Sequence, residues 1–348
     1  MAVALQAKLL RGSFYNLSSG NTESINMQAT AIAHPNVALI KYWGKQDVAT
    51  NLPAVGSLSL TLGGLVTRTT VSFAAELERD ELVINGAPDA GALSRVTRCL
   101  DMLRKRAGIE HRARVTSAND FPTGAGLASS ASGYAALVTA AAAALQADFS
   151  SDELDMIARI GSGSAPRSLH AGIVLLEKTA DVTGMKCRSV AAPDDWPLSV
   201  IVAVTTRQPK DVSSTGGMEL SRKTSPCYQA WVDTHPADLA AALDRVERRD
   251  FESLAEISEH NCLKMHAVAM SSVPALVYWS GATVTCMQRI RELRKAGVPV
   301  FFTIDAGPQL KAVCLPEAAS QVHEALAELP GVVEVLNSNL GYGAQVES

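Results

Sequence analysis

The longest uncharged run of the chain, residues 121–147, constrains the fold more than any other feature of the sequence. Asp120 and Asp148 bracket it, and the residues between them are dominated by Ala, Gly and Ser, with few Leu, Val or Phe. A membrane-spanning helix needs about 20 predominantly apolar residues, and this run is only weakly apolar. A helix that is buried on most sides of a globular core explains the same lack of charge. We therefore expect a buried helix rather than a membrane span.

The first half of this run, "FPTGAGLASSASG" (residues 121–133), places a Pro and closely spaced Gly residues ahead of the expected helix. A tight loop of this kind delivers backbone N–H groups to a helix N-terminus, where unpaired donors and the helix dipole favour an anion. The hydroxyls of Ser129 and Ser130 stand where they can donate to the same anion. A Gly turn followed by a Ser N-cap explains these residues equally well, and both the Walker and the G-x-G-x-x-G spacings are absent.

Charge and cysteine usage disfavour several classes of protein. The 348 residues include 31 Lys and Arg against 35 Asp and Glu, a formal net charge of -4 that provides no basic field for nucleic acid or anionic lipid. The six cysteines are scattered with no CxxC pair, so we expect reduced thiols in the cytoplasm rather than disulfides or structural zinc. Residues 1–28 contain no confident signal peptide and are expected to form a flexible or loosely docked extension.

The pattern of strands and helices predicts an α+β protein with two lobes. A chain of this length exceeds the size at which a single core usually keeps growing. Strand-like and helix-like segments are mixed throughout, which favours α+β over a doubly wound sheet, and "RTTVSFAAE" and "DELVINGA" indicate paired strands. We expect the boundary near "APDDWP" (192–197), between an N-terminal lobe, 29–195, and a C-terminal lobe, 196–348.

Two lysines flank an aromatic pair in "NVALIKYWGK", residues 36–45. If this stretch is extended and turns at Gly44, the ammonium groups of Lys41 and Lys45 can converge on one anionic ligand. A strand end with snorkelling lysines is the common alternative.

Two serines and an arginine follow in the Gly-rich stretch "GSGSAPR", residues 161–167. Small residues let backbone N–H groups approach an anion, and the guanidinium of Arg167 can bind it through two donors. A flexible connector is the alternative for Ser162 and Ser164, but the arginine favours a binding role.

Two further stretches carry polar groups at the edges of regular structure. In "KDVSSTGGM" (210–218), Ser214 and Thr215 precede a helix that they could simply cap. In "FFTIDAGP" (301–308), an apolar strand delivers Asp305 into a Gly-Pro turn, which suits a carboxylate facing a cleft, although Asp before Gly is also a common turn residue. Phosphate-friendly loops, two lysines and one strand-end carboxylate together indicate phosphoryl transfer from ATP to a polyanionic small molecule.

These stretches resemble a known family when they are considered as a set. "PTGAGLASSAS" is similar to the phosphate-binding loop of the superfamily that contains galactokinase, homoserine kinase, mevalonate kinase and phosphomevalonate kinase. The ordered set "NVALIKYWGK", "NLPAVGSLSLTL", "FPTGAGLASSASGYAAL", "RIGSGSAPRSL", "SSTGGM" and "FTIDAGP" resembles the diphosphomevalonate decarboxylases, and "CLKMHAVAMSSVPALVYW" resembles their bacterial branch. The resemblance runs from about residue 29 to about residue 315.

The resemblance implies a fold, a reaction and partners. The implied fold is α+β, with an N-terminal ribosomal-protein-S5-like lobe, a C-terminal ferredoxin-like lobe and an active-site cleft between them. The implied reaction phosphorylates the tertiary 3-hydroxyl of 5-diphosphomevalonate with ATP and Mg²⁺, then releases phosphate and CO2 to form isopentenyl diphosphate in the mevalonate pathway of isoprenoid biosynthesis. A small-molecule substrate and a homodimer are expected, without a nucleic-acid or membrane partner.

Site residues are carried over by their positions in the matching motifs. Asp305 is implied as the base or orienting carboxylate for the hydroxyl, with Lys41 and Arg167 as further catalytic residues. The residues implied around the substrate and its diphosphate are Tyr42, Lys45, Ser162, Ser164, Arg167, Ser214 and Thr215. The residues implied around the ATP phosphates are Pro122, Gly124, Gly126, Leu127, Ala128, Ser129 and Ser130, with Mg²⁺ bridging those phosphates and Ser129 or Ser130 as its candidate protein ligand.

One departure from the family pattern leaves the preferred substrate open. Pro166 stands where Cys is usual, and because Pro lacks an N–H and fixes φ, we expect one fewer donor in the loop or a shifted Arg167. The alternatives are a 5-phosphomevalonate decarboxylase, a mevalonate 3-kinase that stops after phosphorylation, and a non-catalytic ligand-binding member of the fold. The presence of Asp305, Lys41 and Lys45 favours decarboxylation.

Overall fold

A computed structural model describes residues 27–121, 129–180, 184–208 and 210–347 of the chain. The predicted extension 1–28 lies outside the described residues, apart from Met27 and Gln28. The strands are β1 (Gln28–Ala33), β2 (Asn36–Ile40), β3 (Lys45–Asp47), β4 (Leu52–Pro53), β5 (Ser57–Thr61), β6 (Thr67–Ala74), β7 (Glu81–Ile84), β8 (Ala87–Pro88), β9 (Arg112–Asn119), β10 (Ile173–Lys178), β11 (Met185–Ala191), β12 (Ser199–Val204), β13 (Val300–Ile304), β14 (Leu310–Cys314), β15 (Glu334–Asn339) and β16 (Gln345–Val346). The helices are α1 (Ala90–Ala107), α2 (Ser129–Ala144), α3 (Ser151–Gly161), α4 (Ser214–Thr224), α5 (Tyr228–Arg248), α6 (Phe251–Met270), α7 (Gly281–Lys295) and α8 (Ala319–Ala327), with short 3-10 helices at Ala165–Ser168 and Pro316–Ala318.

The first sheet has the strand order β16-β1-β6-β9-β7-β8, and α1, α2 and α3 pack against it. Buried residues alternate with more exposed ones along β6 and β9, as expected for a sheet that is covered on one face. The predicted pairing of "RTTVSFAAE" with "DELVINGA" is wrong, because β6 and β7 each pair with β9 instead, β6 antiparallel and β7 parallel. Local alternation identifies a strand, but it carries no information about which distant strand lies beside it.

The second sheet has the order β11-β10-β5-β2, and the third has the order β13-β14-β12-β15. Every residue of β2, β5, β12, β13 and β14 is buried, and apart from Asn36 in β2 and Lys311 in β14 these strands consist of apolar or small residues. Leu58 and Leu60 of the second sheet share one apolar cluster with Phe301 and Val313 of the third. The two sheets therefore contribute to a common core, which limits how far the ends of β2 and β13 can move apart.

The uncharged run forms a buried helix, as predicted. α2 begins at Ser129 and packs against β1, β6, α1 and α3. Its small residues, among them Ala135, Ala136 and Ala140, have no exposed surface, and they let the helix approach the sheet closely. Among the described helices, none has both the length and the apolar character needed to cross a bilayer.

The end of the chain returns to the first sheet. β16 pairs antiparallel with β1 through Ala31 and Val346, and a separate bridge joins Leu62 to Leu340. The expected lobe boundary at 192–197 falls between β11 and β12, and Trp196 within it is buried in the shared core. The residues after 340 therefore pack with the first half of the chain, and the division at 195 stays a prediction.

Candidate active site

A cleft of about 470 Å³ lies where the ends of β2 and β13 meet the loop after α3 and the first turns of α2 and α4. Its lining includes six cationic side chains and one carboxylate. The cations are Lys41, Lys45, Arg95, Arg98, Arg167 and Lys210, and the carboxylate is that of Asp305. Such a cleft attracts polyanionic ligands.

Asp305 and Lys41 meet at the floor of this cleft, although 264 positions separate them in the chain. Each follows a buried strand, and the Thr303 hydroxyl donates to the carbonyl of Ala38, which ties the two strands together. The Lys41 Nζ atom donates to Asp305 Oδ1 at 2.7 Å and to the Ala38 carbonyl at 2.8 Å. The structure therefore brings together two residues that the resemblance implies as catalytic, and their roles stay a prediction.

The electrostatic surroundings keep Asp305 ionised. Burial by itself would raise the pKa of this carboxyl group, but the charges of Lys41 and Lys311 outweigh that effect and lower the pKa to about 2. Lys311, on β14, places its Nζ atom 3.5 Å from Asp305 Oδ2 and is 1% exposed. Sequence analysis missed Lys311 because a single lysine within an apolar strand carries no recognisable pattern.

Arg167 lies on the 3-10 helix Ala165–Ser168 and is 4% exposed. Its Nε and Nη2 atoms donate to Asn36 Oδ1 at 3.1 and 3.0 Å, and its Nη1 atom donates to Ser57 Oγ at 2.9 Å. Burial lowers the pKa of Arg167 from its ordinary value. Neutral acceptors thus hold the cation at the wall of the cleft.

Pro166 fits this local geometry without disturbing it. It occupies the first turn of the 3-10 helix, where a backbone N–H has no partner within the helix, so its missing donor costs little. Its carbonyl accepts the Leu169 N–H at 3.1 Å, and the Arg167 N–H donates to the Ser164 carbonyl at 3.3 Å. In the described structure the loop retains its hydrogen bonds around Arg167.

Serine hydroxyls connect the first turn of α2 with the Gly-rich loop after α3. Ser130 Oγ lies 3.3 Å from Ser162 Oγ, which lies 3.2 Å from Ser164 Oγ. Ser129 and Ser130 form the first turn of α2, where backbone donors are available to an anion. The other residues predicted around the nucleotide phosphates, Pro122, Gly124, Gly126, Leu127 and Ala128, lie outside the described residues.

A second polar cluster surrounds the start of α4. The Lys45 Nζ atom donates to Asn51 Oδ1 at 2.6 Å and to Thr215 Oγ1 at 3.1 Å. The Lys210 Nζ atom donates to Ser214 Oγ at 2.7 Å and to the Ala306 carbonyl at 2.8 Å. Burial lowers the pKa of Lys210 to about 8. The predicted Lys45, Ser214 and Thr215 therefore line the cleft together, with Lys210 beside them.

Two arginines on α1 also reach the cleft, and sequence analysis missed both. The Arg98 Nη2 atom donates to the Ala49 carbonyl at 2.7 Å, and the guanidinium of Arg95 stands 5.8 Å from the ring centre of Tyr134. Burial, followed by the charge of Arg95, lowers the pKa of Lys45. Their spacing of three residues put both arginines on one helix face, but that pattern is also typical of a solvated surface.

The phenol of Tyr42 completes this part of the site. Burial raises its pKa far above the ordinary value, so the hydroxyl remains a donor at all physiological pH values. Within the described ranges, no group hydrogen-bonds to the Tyr42 hydroxyl, although the atom is buried. It approaches Gly163 so closely that a Cβ atom at that position would lie 2.3 Å from it. A buried donor without a partner is typical of a group that hydrogen-bonds to a ligand.

Comparisons with known proteins identify relatives of the whole described chain. A family model described as diphosphomevalonate decarboxylase-like N-terminal domain matches residues 33–190. A second model, described as mevalonate 5-diphosphate decarboxylase C-terminal domain, matches residues 200–340. The curated diphosphomevalonate decarboxylase of Candida albicans is 35% identical over 310 residues, which cover 84% of this chain and 85% of that protein.

Solved structures resemble the fold closely. Mevalonate diphosphate decarboxylase from Staphylococcus aureus has a TM-score of 0.86 and 37% identity, over 92% of this chain and 98% of its own. A structure described as MDDEF in complex with MVAPP, AMPPCP and magnesium has a TM-score of 0.85 and 35% identity, over 92% of this chain and 99% of its own.

Proposed function

Since the chain belongs to the diphosphomevalonate decarboxylase family, we propose that it converts 5-diphosphomevalonate and ATP to isopentenyl diphosphate, ADP, phosphate and CO2. The observation that carries this proposal is the position of Asp305, which among the described residues is the one carboxylate in a cleft lined by six cations. The cations suit a substrate and a co-substrate that both carry phosphate charges. The carboxylate suits a hydroxyl group that must be oriented for phosphorylation.

Asp305 and Lys41 act on the reacting oxygen. Asp305 is a quarter exposed towards the cleft and accepts a hydrogen bond from the substrate 3-hydroxyl, which directs an oxygen lone pair to the terminal phosphorus of ATP. As the new O–P bond forms, the P–O bond to ADP breaks, and the hydroxyl proton passes to the Asp305 carboxylate late in the transfer. Lys41, 2.7 Å from the carboxylate, places a positive charge beside the oxygen during the transfer.

The cations at the α1 side of the cleft bind the diphosphate of the substrate. Arg95 and Arg98 lie beside Lys45, and a diphosphate carries enough negative charge to engage all three. The Tyr42 hydroxyl and the serines at 162 and 164 donate further hydrogen bonds. This assignment explains why the Tyr42 hydroxyl is buried without a partner.

Nucleotide phosphates fit next to these groups, at the first turn of α2, where Ser130 lies 3.3 Å from Ser162. Ser129 and Ser130 provide hydroxyl and backbone donors there, and they are the candidate protein ligands of Mg²⁺, since a hydroxyl oxygen suits this hard cation. Bound Mg²⁺ neutralises phosphate charge during transfer. Lys210, beside Ala306 and within the field of Asp305, places its charge near the transferred group.

The second stage needs no further cofactor. Once the hydroxyl is phosphorylated, the C3–O bond breaks and its electron pair leaves with phosphate. The electron pair of the C1–C2 bond then forms the C2–C3 double bond, and the carboxylate departs as CO2. Arg167, held by Asn36 and Ser57, supplies positive charge to orient the substrate carboxylate until that bond breaks.

Three finer features belong to the same proposal. The two lobes extend over 29–195 and 196–348, which is supported by family models that match 33–190 and 200–340. The protein forms a homodimer, which size-exclusion chromatography with light scattering would test. It acts in the cytoplasm, which is supported by six free cysteines, five of them buried.

The test is a product assay with three substrates. Purified protein receives ATP and Mg²⁺ with mevalonate, its 5-phosphate or its 5-diphosphate, and both ADP and CO2 are measured. We expect equal amounts of both products with the 5-diphosphate. ADP without CO2 would identify a 3-kinase, greater turnover of the 5-phosphate would identify the monophosphate decarboxylase, and no product at all would favour a binding protein.

A further inference from the structure

Lys311 lies directly behind the carboxylate of Asp305. It belongs to β14, where it pairs with Thr303 of β13, two residues before Asp305. Its Nζ atom is 3.5 Å from Asp305 Oδ2, whereas Lys41 approaches Oδ1 at 2.7 Å. The two ammonium groups therefore hold different oxygens of one carboxylate, so both the position and the rotation of that group are restricted.

Lys311 has no access to a substrate. Its side chain is 2% exposed and is absent from the lining of the cleft, whereas the Asp305 side chain is 26% exposed. Lys311 therefore reaches the cleft through its contact with Asp305, and its charge also acts on the cleft residue Lys210. Lys41 differs in this respect, because it lines the cleft as well as contacting the carboxylate.

The location of Lys311 is unfavourable for packing alone. The next residues on its strand, Ala312, Val313 and Cys314, have no exposed surface. Burial lowers the pKa of Lys311, which reflects the cost of placing its charge in this core. An aliphatic side chain of similar length would fill the space without that cost, so packing does not account for a cation here.

We propose that Lys311 is a positioning residue for the reaction assigned above. Lys311 holds Asp305 in place, so that Asp305 acts as an orienting acceptor for the substrate hydroxyl rather than as a strong base. This inference rests on the proposed function. In a loose, metaphosphate-like transition state, alignment of the nucleophile matters more than early removal of its proton. A weakly basic carboxylate is therefore sufficient. The lowered pKa of Asp305 supports the same role.

Several charged or titratable groups from different elements influence Asp305. They are Lys41 after β2, Lys311 on β14, Lys210 before α4, Arg167 on the 3-10 helix, and Cys262 and His266 on α6. Burial lowers the pKa of His266 to about 3, and burial raises the pKa of Cys262. Neither group therefore changes charge between pH 5 and 8. Lys210 lines the cleft, has a pKa of about 8 and is also within the field of Lys311, so the effect of a Lys311 variant is measured below pH 7.

The experiment compares Lys311→Met, which removes the charge but keeps the length, with Lys311→Arg, which keeps the charge. Val313→Ala, on the same strand, is the control for a packing defect without a charge change. For Lys311→Met we expect kcat to fall by about tenfold or more and the substrate KM to change by less than about threefold. We also expect this loss of kcat to be the same from pH 5 to pH 7, because Asp305 stays ionised over that range with or without Lys311.

Lys311→Arg should restore kcat to within about threefold of the wild-type value, and Val313→Ala should be less stable with kcat and KM almost unchanged. A Lys311→Met protein that is folded, as judged by circular dichroism, and has a kcat at or above the wild-type value would overturn the proposal. So would a Lys311→Met protein in which KM alone changes. Failure of the proposed function is distinguishable, because the wild type itself would then release no CO2.

Discussion

Two carboxylates in this molecule, Asp80 and Asp305, are both held by cations in buried surroundings, yet their geometries differ. Asp80 receives the fork of Arg104 through both oxygens, at 2.8 and 2.9 Å, and also accepts the Ala113 N–H at 2.8 Å. Its side chain is 2% exposed. Asp305 has lysines behind it and is 26% exposed towards a cleft.

The difference between the two geometries shows how a structural carboxylate can be told from a catalytic one. Asp80 uses its acceptor capacity within the protein, so it joins the strand β9 to helix α1 and is unavailable to a ligand. Lysine ammonium groups act as point charges and leave carboxylate lone pairs free, whereas an arginine fork occupies them in pairs. The lone pairs that face solvent, rather than burial or the pKa shift, distinguish the catalytic candidate.

The largest expected effect is that of Asp305→Asn on turnover. An amide keeps the size of the side chain but lacks the charge that orients the hydroxyl, so we expect kcat to fall by about 1000-fold or more. ATP binding, measured by calorimetry, should remain nearly intact. Loss of ATP binding instead would contradict the role assigned to Asp305.

Asp80→Asn should lower the free energy of unfolding without changing a group that contacts the substrate. It removes the charge that Arg104 contacts through two atoms in the core, and we expect a loss of about 3 kcal/mol in the free energy of unfolding. The matched control is Asp101→Asn, whose carboxylate also contacts Arg104 but is 54% exposed, and it should cost less than about 1 kcal/mol. Denaturant titration measures both. Equal losses would show that burial is not the deciding factor.

Arg98→Ala tests the same distinction on the cationic side. Arg98 gives a donor to the Ala49 carbonyl and faces the cleft, unlike Arg104, whose fork is occupied by Asp80. We expect the KM for the 5-diphosphate substrate to rise about tenfold with kcat almost unchanged. Arg106→Ala, further along α1 and paired with Glu153, is the control with no expected effect on KM. A similar change in both variants would remove Arg98 from the binding site.

The smallest expected effect is a pH dependence of stability. Burial would raise the pKa of Asp80, but hydrogen bonds from Arg104 and the Ala113 N–H lower it below its ordinary value. A carboxyl with a lowered folded-state pKa stabilises the fold above its unfolded pKa of about 3.9, and that contribution is lost as the pH falls through the folded value. The stability difference between wild type and Asp80→Asn should therefore shrink below about pH 4. A constant difference down to pH 3 would contradict this linkage.

Much of the candidate site was predictable because its residues occupy short, ordered motifs. Lys41, Arg167 and Asp305 each lie at the end of a strand or helix, where local pattern identifies both the element and its polar terminus. The resemblance implied that these three residues lie in one active site, and in the structure all three line the same cleft. Their catalytic roles stay proposals until the variants are measured.

The residues that sequence analysis missed share one property, since each depends on a distant element. Lys311 is a single cation in an apolar strand, and its role depends on Asp305 at the end of the neighbouring strand. Arg95 and Arg98 appear as an ordinary solvated helix face until the loop after β3 is placed beside them. The wrong pairing of β6 with β7 has the same origin, because β9 enters between them from later in the chain.

The sequence by itself determined the α+β class, the buried helix behind the Gly-rich loop and the chemical character of the site, because periodicity, capping and short motifs are local properties. Only the tertiary structure decided which strands are neighbours, how the end of the chain joins the first sheet, and which side of Asp305 remains open. These features arise from contacts between residues far apart in the chain. They depend on how the second and third sheets share a core and on how the first sheet packs against its own helices, and no local pattern encodes that arrangement.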